Sequence, residues 1–159
     1  MVMDIKKSGK IVVCASGYWD CLHIGHLEYL KKAKVLGDVL VVIVNNDNQA
    51  RQKKGFSFMP EKERCEIMGS LSFVDEVILS IDEDRTVCKT LSLVNPDIFA
   101  KGGDTCISAG NIPEKKVCDA QNIKLIDGLG DKIQSSRWLL RKAKENLQKL
   151  DDTYLNSEM

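Results

Sequence analysis

Apolar residues in this chain fall in short unbroken runs separated by stretches of helical spacing. Ile11-Val12-Val13-Cys14-Ala15 and Val39-Leu40-Val41-Val42-Ile43-Val44 are continuous and largely β-branched, as strands covered on both faces of a parallel sheet are. Between them Leu27, Leu30, Ala33 and Leu36 recur at helical spacing until Gly37-Asp38 stops the pattern. Pro60-Glu61-Lys62-Glu63-Arg64 opens a second helix with proline and acids in its first turn, continued by Cys65, Ile67, Met68 and Leu71. Further strands are predicted at Val74 to Ile81, Ile98-Phe99-Ala100 and Ile123 to Ile126. Helices are predicted from about Thr86 to Leu93, around Glu114 to Ala120, and from Arg137 to about Leu150. Asn45 to Phe58, polar and basic around Lys53-Lys54-Gly55, reads as an exposed loop.

Strands alternating with helices predict right-handed βαβ units. The expected fold is α/β: a Rossmann-like three-layer α/β/α sandwich with a mostly parallel five-stranded sheet. One domain over 1–159 is expected, with flexible tails at 1–9 and 151–159. Ligands of such folds bind outside the carboxyl ends of the strands. Four segments distant in sequence would converge there: the turn after the first strand, the Lys53-Lys54 segment, Gly102-Gly103 and Ser135-Ser136.

Charge narrows the partners. Lys plus Arg equal Asp plus Glu at 23 each, so no overall basic field draws the chain to nucleic acid or anionic lipid, and small molecules are expected instead. The six cysteines are scattered without a Cys-x-x-Cys and read as reduced thiols of a cytoplasmic protein. No apolar stretch is long enough to cross a bilayer, and Met1 to Lys10 lacks the apolar core of a leader, so neither secretion nor membrane insertion is expected.

The candidate chemistry sits in Ser16-Gly17-Tyr18-Trp19-Asp20-Cys21-Leu22-His23-Ile24-Gly25-His26, which holds the only two histidines of the chain. His26 falls in the first turn of a helix that follows a strand, where free N–H groups and the positive end of the helix dipole suit a polyphosphate. A structural histidine pair and a metal site completed by Cys21 or Asp20 are the alternatives. Gly25 fits close approach of a phosphate to the backbone. Lys53 and Lys54 are either solvated surface or a mobile clamp closing over a phosphate. Arg64 is either a surface residue or a second anion clamp. Lys101-Gly102-Gly103-Asp104 is a plain turn, or a platform admitting a flat base or ribose with Asp104 as hydrogen-bond acceptor. Ser135-Ser136, an ordinary N-cap alone, becomes a seat for outer phosphates when joined to a second helix N-terminus and followed by Arg137.

Taken in order, these motifs resemble the cytidylyltransferase-like group of nucleotidyltransferases, whose hallmark H-x-G-H after G-x-F-D stands here as His23-Ile24-Gly25-His26 after Gly17-Tyr18-Trp19-Asp20. The resemblance runs from Lys10 to about Ala143. Within the group, Pro96-Asp97-Ile98-Phe99-Ala100-Lys101-Gly102-Gly103-Asp104 is similar to the P-D-x-x-x-K-G-G-D of heptose 1-phosphate adenylyltransferases, and Lys54-Gly55 to their K-G. The resemblance implies transfer of a nucleotidyl group from ATP, slightly preferred over CTP, to a sugar or polyol phosphate, with Mg²⁺ carried mainly by the triphosphate. It also implies a homodimer. By the family's pattern His23, His26, Lys54 and Arg64 would be catalytic. Ser16, Gly17, Tyr18, Trp19, Gly25, Lys53, Lys101, Gly102, Gly103, Asp104, Ser135, Ser136 and Arg137 would bind nucleotide or phosphate, and Asp20 would organise the loop or acceptor. A cytidylyltransferase acting on glycerol 3-phosphate or a phospho-alcohol is the alternative within the class. A catalytically silent nucleotide-binding or scaffold module is the alternative outside it.

Overall fold

The computed structural model describes residues 5, 6, 8–103, 105–150 and 157. Its centre is the pair of apolar strands, β1 (Val12–Gly17) and β2 (Val39–Val44). Val12 to Ala15 and all of β2 are buried. β3 (Glu76–Leu79), β4 (Ile98–Gly102) and β5 (Lys124–Leu129) complete an all-parallel sheet in the order β3-β2-β1-β4-β5. The fold expectation therefore holds.

Side chains alternate across the sheet and so divide the core in two. Val13, Ala15, Leu40, Val42, Val44 and Ala100 face α1 (Ile24–Val35) and α3 (Glu61–Gly69), whose Leu30, Ala33 and Met68 pack against them. Val12, Cys14, Val41, Ile43 and Phe99 face α4 (Cys88–Val94) and α5 (Lys115–Gln121) through Leu91, Val94 and Cys118. Between β1 and β4 the connections run in opposite directions along the sheet. That switch point opens a crevice at the carboxyl ends of these two strands, above α1.

Asn45 to Phe58 is not a loop. It contains α2 (Asp47–Lys54), which places Lys53 and Lys54 on a rigid helical end. The helix is specified by its ends: Asn46 Oδ1 accepts from Gln49 N–H, Gln49 Oε1 accepts from Asn46 N–H, and Gly55 closes the last turn at φ +84°. Only Gln49 and Ala50 of α2 are buried, so hydrophobic periodicity carries no trace of it. β3 is shorter than Val74 to Ile81, because Ser80 and Asp82 turn their carbonyls to the Asn46 amide. The last helix, α6 (Ser136–Leu147), starts one residue earlier than expected and buries no side chain. Most of both predicted tails lies outside the described residues.

Candidate active site

β1 ends at Gly17, and the chain turns through Tyr18, Trp19 (φ +54°) and Asp20 before α1 begins. Trp19 is a core residue and not a nucleotide contact as expected. Its indole is buried, donates to Ile43 O at 3.1 Å, and meets the His26 ring edge-on with centroids 5.2 Å apart. Gly17 is required by that indole, since a Cβ there would lie 2.9 Å from two of its ring carbons. Ser16, at the end of β1, is likewise buried.

The two histidines build the start of α1. His23 is the N-cap, and its Nδ1 accepts from Gly25 N–H at 3.1 Å; His26 Nδ1 accepts from His23 N–H at 3.2 Å. An imidazole nitrogen that accepts carries no proton, so each neutral ring carries its hydrogen on Nε2. Two N–H donors result, on stacked rings whose centroids are 3.7 Å apart. Burial lowers the pKa of His23. His26 is pushed down to about 3 by burial and by the neighbouring His23 and Lys53. Gly25 lies against the His23 ring, where a Cβ would sit 3.0 Å from Cε1, so the ring alone already demands a small residue.

A second helix end lies beside the first. Ser136 Oγ donates to Cys21 O at 2.9 Å, fastening the N-terminus of α6 to the histidine turn. Ser135 Oγ is its N-cap, accepting from Trp138 N–H. Ser135 Oγ is thus used as an acceptor and Ser136 Oγ as a donor, which leaves main-chain N–H groups and the Ser135 hydroxyl hydrogen as donors at this end. Arg137 is exposed in the first turn of α6.

Lys54 Nζ lies 2.7 Å from Asp20 Oδ2 and 2.8 Å from Asp20 O. Asp20 is buried and also accepts from Phe58 N–H and Met59 N–H, so it organises the segment after α2. Lys53 extends over the Tyr18 ring, its Nζ 4.3 Å from the centroid. Arg64 is neither surface nor clamp. It is fully buried, and it donates to Met59 O, Tyr18 O, Asn45 O and Asp47 Oδ1, which consumes four of the five N–H donors of a guanidinium. It holds three segments of the site together from beneath, and its hydrogen bonds help keep the Asp47 carboxyl below its usual range.

The Gly130 carbonyl occupies the space where a Cβ on Gly103 would stand, so the close crossing of the chain at Gly130 already demands a glycine there, although Gly103 itself is exposed. Lys101 leans over the Phe99 ring on the α4 and α5 face. Gly102 ends β4, and Asp104 lies outside the described residues.

The structure adds residues that the sequence reading did not single out. Gln49 is fully buried and Asp47 is the partner of Arg64; the Asn46-x-x-Gln49 spacing of a capping box was the available signal. Among the described residues no three His, Cys, Asp or Glu side chains gather as a metal site, and the Asp20 carboxylate is already engaged by Lys54 and two amides. No helix among them is long and apolar enough to cross a membrane.

The cytidylyltransferase-like family model matches residues 14–146. "Bifunctional protein HldE" of Citrifermentans bemidjiense is 40% identical over 127 residues, 76% of this chain and 25% of that protein. The protein of the same name from Nitratiruptor sp. is 44% identical over 103 residues, 64% of this chain and 22% of that protein. The chain therefore spans about a quarter or less of the length of these relatives. Among solved structures, the "lipopolysaccharide core biosynthesis protein" of Thermoplasma volcanium superposes with a TM-score of 0.66 at 33% identity, covering 78% of this chain and all of the other. A pantoate-beta-alanine ligase from Francisella tularensis, 16% identical with a TM-score of 0.56 over 96% of this chain and 77% of its own, shares the fold. With its paired helix ends and stacked histidines at the switch point, the chain belongs to the cytidylyltransferase-like family of nucleotidyltransferases.

Proposed function

We propose that this chain transfers a nucleotidyl group from a nucleoside triphosphate, ATP ahead of CTP, to a sugar or polyol phosphate. The observation that carries this reading is the pair of His23 and His26 Nε2–H donors at the mouth of α1, with the α6 N-terminus fastened beside them. Neutral donors and helix ends stabilise charge that builds on a phosphorus centre under attack, and phosphoryl-type transfer needs positioning and charge stabilisation more than covalent help. An oxygen of the acceptor phosphate bonds to the α-phosphorus, the bond from that phosphorus to the β-phosphate oxygen breaks, and pyrophosphate leaves. The triphosphate enters as its Mg²⁺ complex, in keeping with the engaged Asp20 carboxylate. Lys54 would exchange Asp20 for a phosphate oxygen. A homodimer and a cytoplasmic place of action belong to the same proposal; light scattering tests the first.

The test is pyrophosphate release from ATP or CTP with a panel of sugar 1-phosphates and glycerol 3-phosphate. Release with a sugar phosphate and ATP is the expected result. Preference for CTP with glycerol 3-phosphate would move the chain to the cytidylyltransferase alternative. Tight nucleotide binding without release from any pair would overturn the catalytic reading in favour of a nucleotide-binding module.

A further inference from the structure

The last helix stands apart from both halves of the core. Each of α1 to α5 buries at least one side chain, whereas α6 buries none, and every residue from Arg141 to Leu150 is exposed. Its first turn is tied to the molecule through Ser136 Oγ on Cys21 O and the Ser135 cap. Beyond that turn Leu139 and Leu140 are half-buried, and the side chains after them are left in water.

Those side chains are not evenly polar. At about 3.6 residues per turn, Leu139, Leu140, Ala143 and Leu147 fall within an arc of about 100°. Leu150, whose N–H donates to Leu147 O in the closing turn, extends the stripe. Leu147 and Leu150 are 46% and 40% exposed, so the stripe faces no core of its own protein. The rest of the helix surface is basic. Lys142 and Lys144 border the stripe on its two sides, Arg137, Arg141 and Lys149 lie opposite, and Glu145 is the one acid between 136 and 150. Lys132, just before the helix, lies over the Trp138 ring with its Nζ 5.8 Å from the centroid. Asp151 and Asp152 follow only after the stripe has ended. The neutrality of the whole chain therefore conceals a local concentration of positive charge.

A contiguous apolar stripe gains free energy by leaving water, and the cations on its borders decide what can cover it. A second copy would set the same lysines against each other, side by side. An anionic bilayer surface meets both demands: the boundary between headgroups and acyl chains takes the leucines, and the headgroups take cations whose long stems reach outward from the stripe. A helix of 12 residues that carries this much charge is too short and too polar to cross. We propose that α6 is an interfacial helix that docks the chain on anionic lipid surfaces, with the leucine stripe at the headgroup boundary and Lys142 and Lys144 on the headgroups. The docking is reversible, because few leucines take part and charge supplies much of the attraction.

The experiment sediments the full chain with vesicles of phosphatidylglycerol and phosphatidylcholine in equal parts, and with vesicles of phosphatidylcholine alone. Binding to the anionic vesicles at least fivefold above the zwitterionic ones is expected, falling steeply as salt is raised from about 0.05 M to 0.5 M. Leu147→Glu, at an exposed position, is expected to weaken binding about tenfold or more, and so is the pair Lys142→Glu with Lys144→Glu. Thermal unfolding of each variant should match wild type; the wild-type lipid and salt comparisons decide the matter should a variant fail to fold. No sedimentation with anionic vesicles at low salt, equal sedimentation with both lipids, or wild-type binding by Leu147→Glu would each overturn the proposal. A concentration-dependent dimer in light scattering that Leu147→Glu dissolves would also overturn it, by giving the stripe to a second copy. None of these readouts needs turnover, so failure of the functional reading leaves the test intact.

Discussion

Lys54 and Asp20, thirty-four residues apart, are joined twice, through the Asp20 carboxylate and through its main-chain carbonyl. The carboxylate is buried, while the lysine retains some exposure. Lys54 is thus stored at the edge of the site on a partner that cannot follow it into solvent.

Replacing that carboxylate tests its double service. Asp20→Asn keeps one acceptor oxygen but sets an N–H₂ group against Lys54 or against the Phe58 and Met59 amides. A stability loss of about 3 kcal/mol is expected, typical of breaking a buried charged pair. Urea denaturation measures it, and a loss below about 1 kcal/mol would mean that Asp20 does not hold the segment after α2.

Acid should reach the histidines late. His26 is pushed down to about 3 and His23 is lowered from its ordinary value, so the unfolded chain binds more protons than the folded one below about pH 6.5. Stability therefore falls as pH drops from about 6.5 towards the folded values and is fully present above that window. For His26 the loss by pH 5 is at most about 2 kcal/mol. No other histidine exists to confuse the titration. Imidazole proton resonances of His26 that stay unshifted down to pH 5 are expected, and a midpoint near 6.5 would contradict the buried, neutral ring.

His26→Ala separates chemistry from folding. It removes one acceptor at the start of α1, at a cost of about 1 kcal/mol. If the proposed reaction holds, it also removes an N–H donor from the reacting phosphate, and kcat is expected to fall about 10²- to 10³-fold. Pyrophosphate release beside thermal unfolding gives both numbers; a kcat within tenfold of wild type would show that the donor does not act on the transition state.

Arg64→Met should act on stability and not on substrate affinity alone. Four protein oxygens lose their donor in a buried setting, and a cost of about 3 kcal/mol or more is expected. Calorimetry checks this. A variant of normal stability whose KM for either substrate rose steeply would instead make Arg64 a substrate contact.

What the sequence made legible was whatever apolar patterning or a sharp motif specifies. β2 occupies Val39–Val44 as predicted, and His26 falls in the first turn of α1. α2 escaped because polar ends specify it: Asn46, Gln49 and Gly55 do the work, and only two of its residues are buried. Arg64 and Trp19 escaped for a related reason. Nothing in their spacing separates a buried guanidinium from a surface one, or an indole beneath a site from one within it. Two glycines in a row at Gly102-Gly103 fit a plain turn or a platform equally, and the sequence offers no further reason for the second of them. The atom that requires it belongs to Gly130, 27 positions along the chain, and no local pattern contains it.

The way the histidine rings are tethered limits which reactions the site can support. Each Nδ1 is already taken by a main-chain amide and each Nε2 holds its own hydrogen, so neither ring has a lone pair to receive a proton. A nucleophile that must be deprotonated before it attacks, such as a bare alcohol, finds no base in this pair. A phosphate monoester already carries negative charge near neutral pH and needs none. Near neutral pH the rings are wired to give hydrogen bonds and not to collect protons, which suits the already charged attacking group of the proposed reaction.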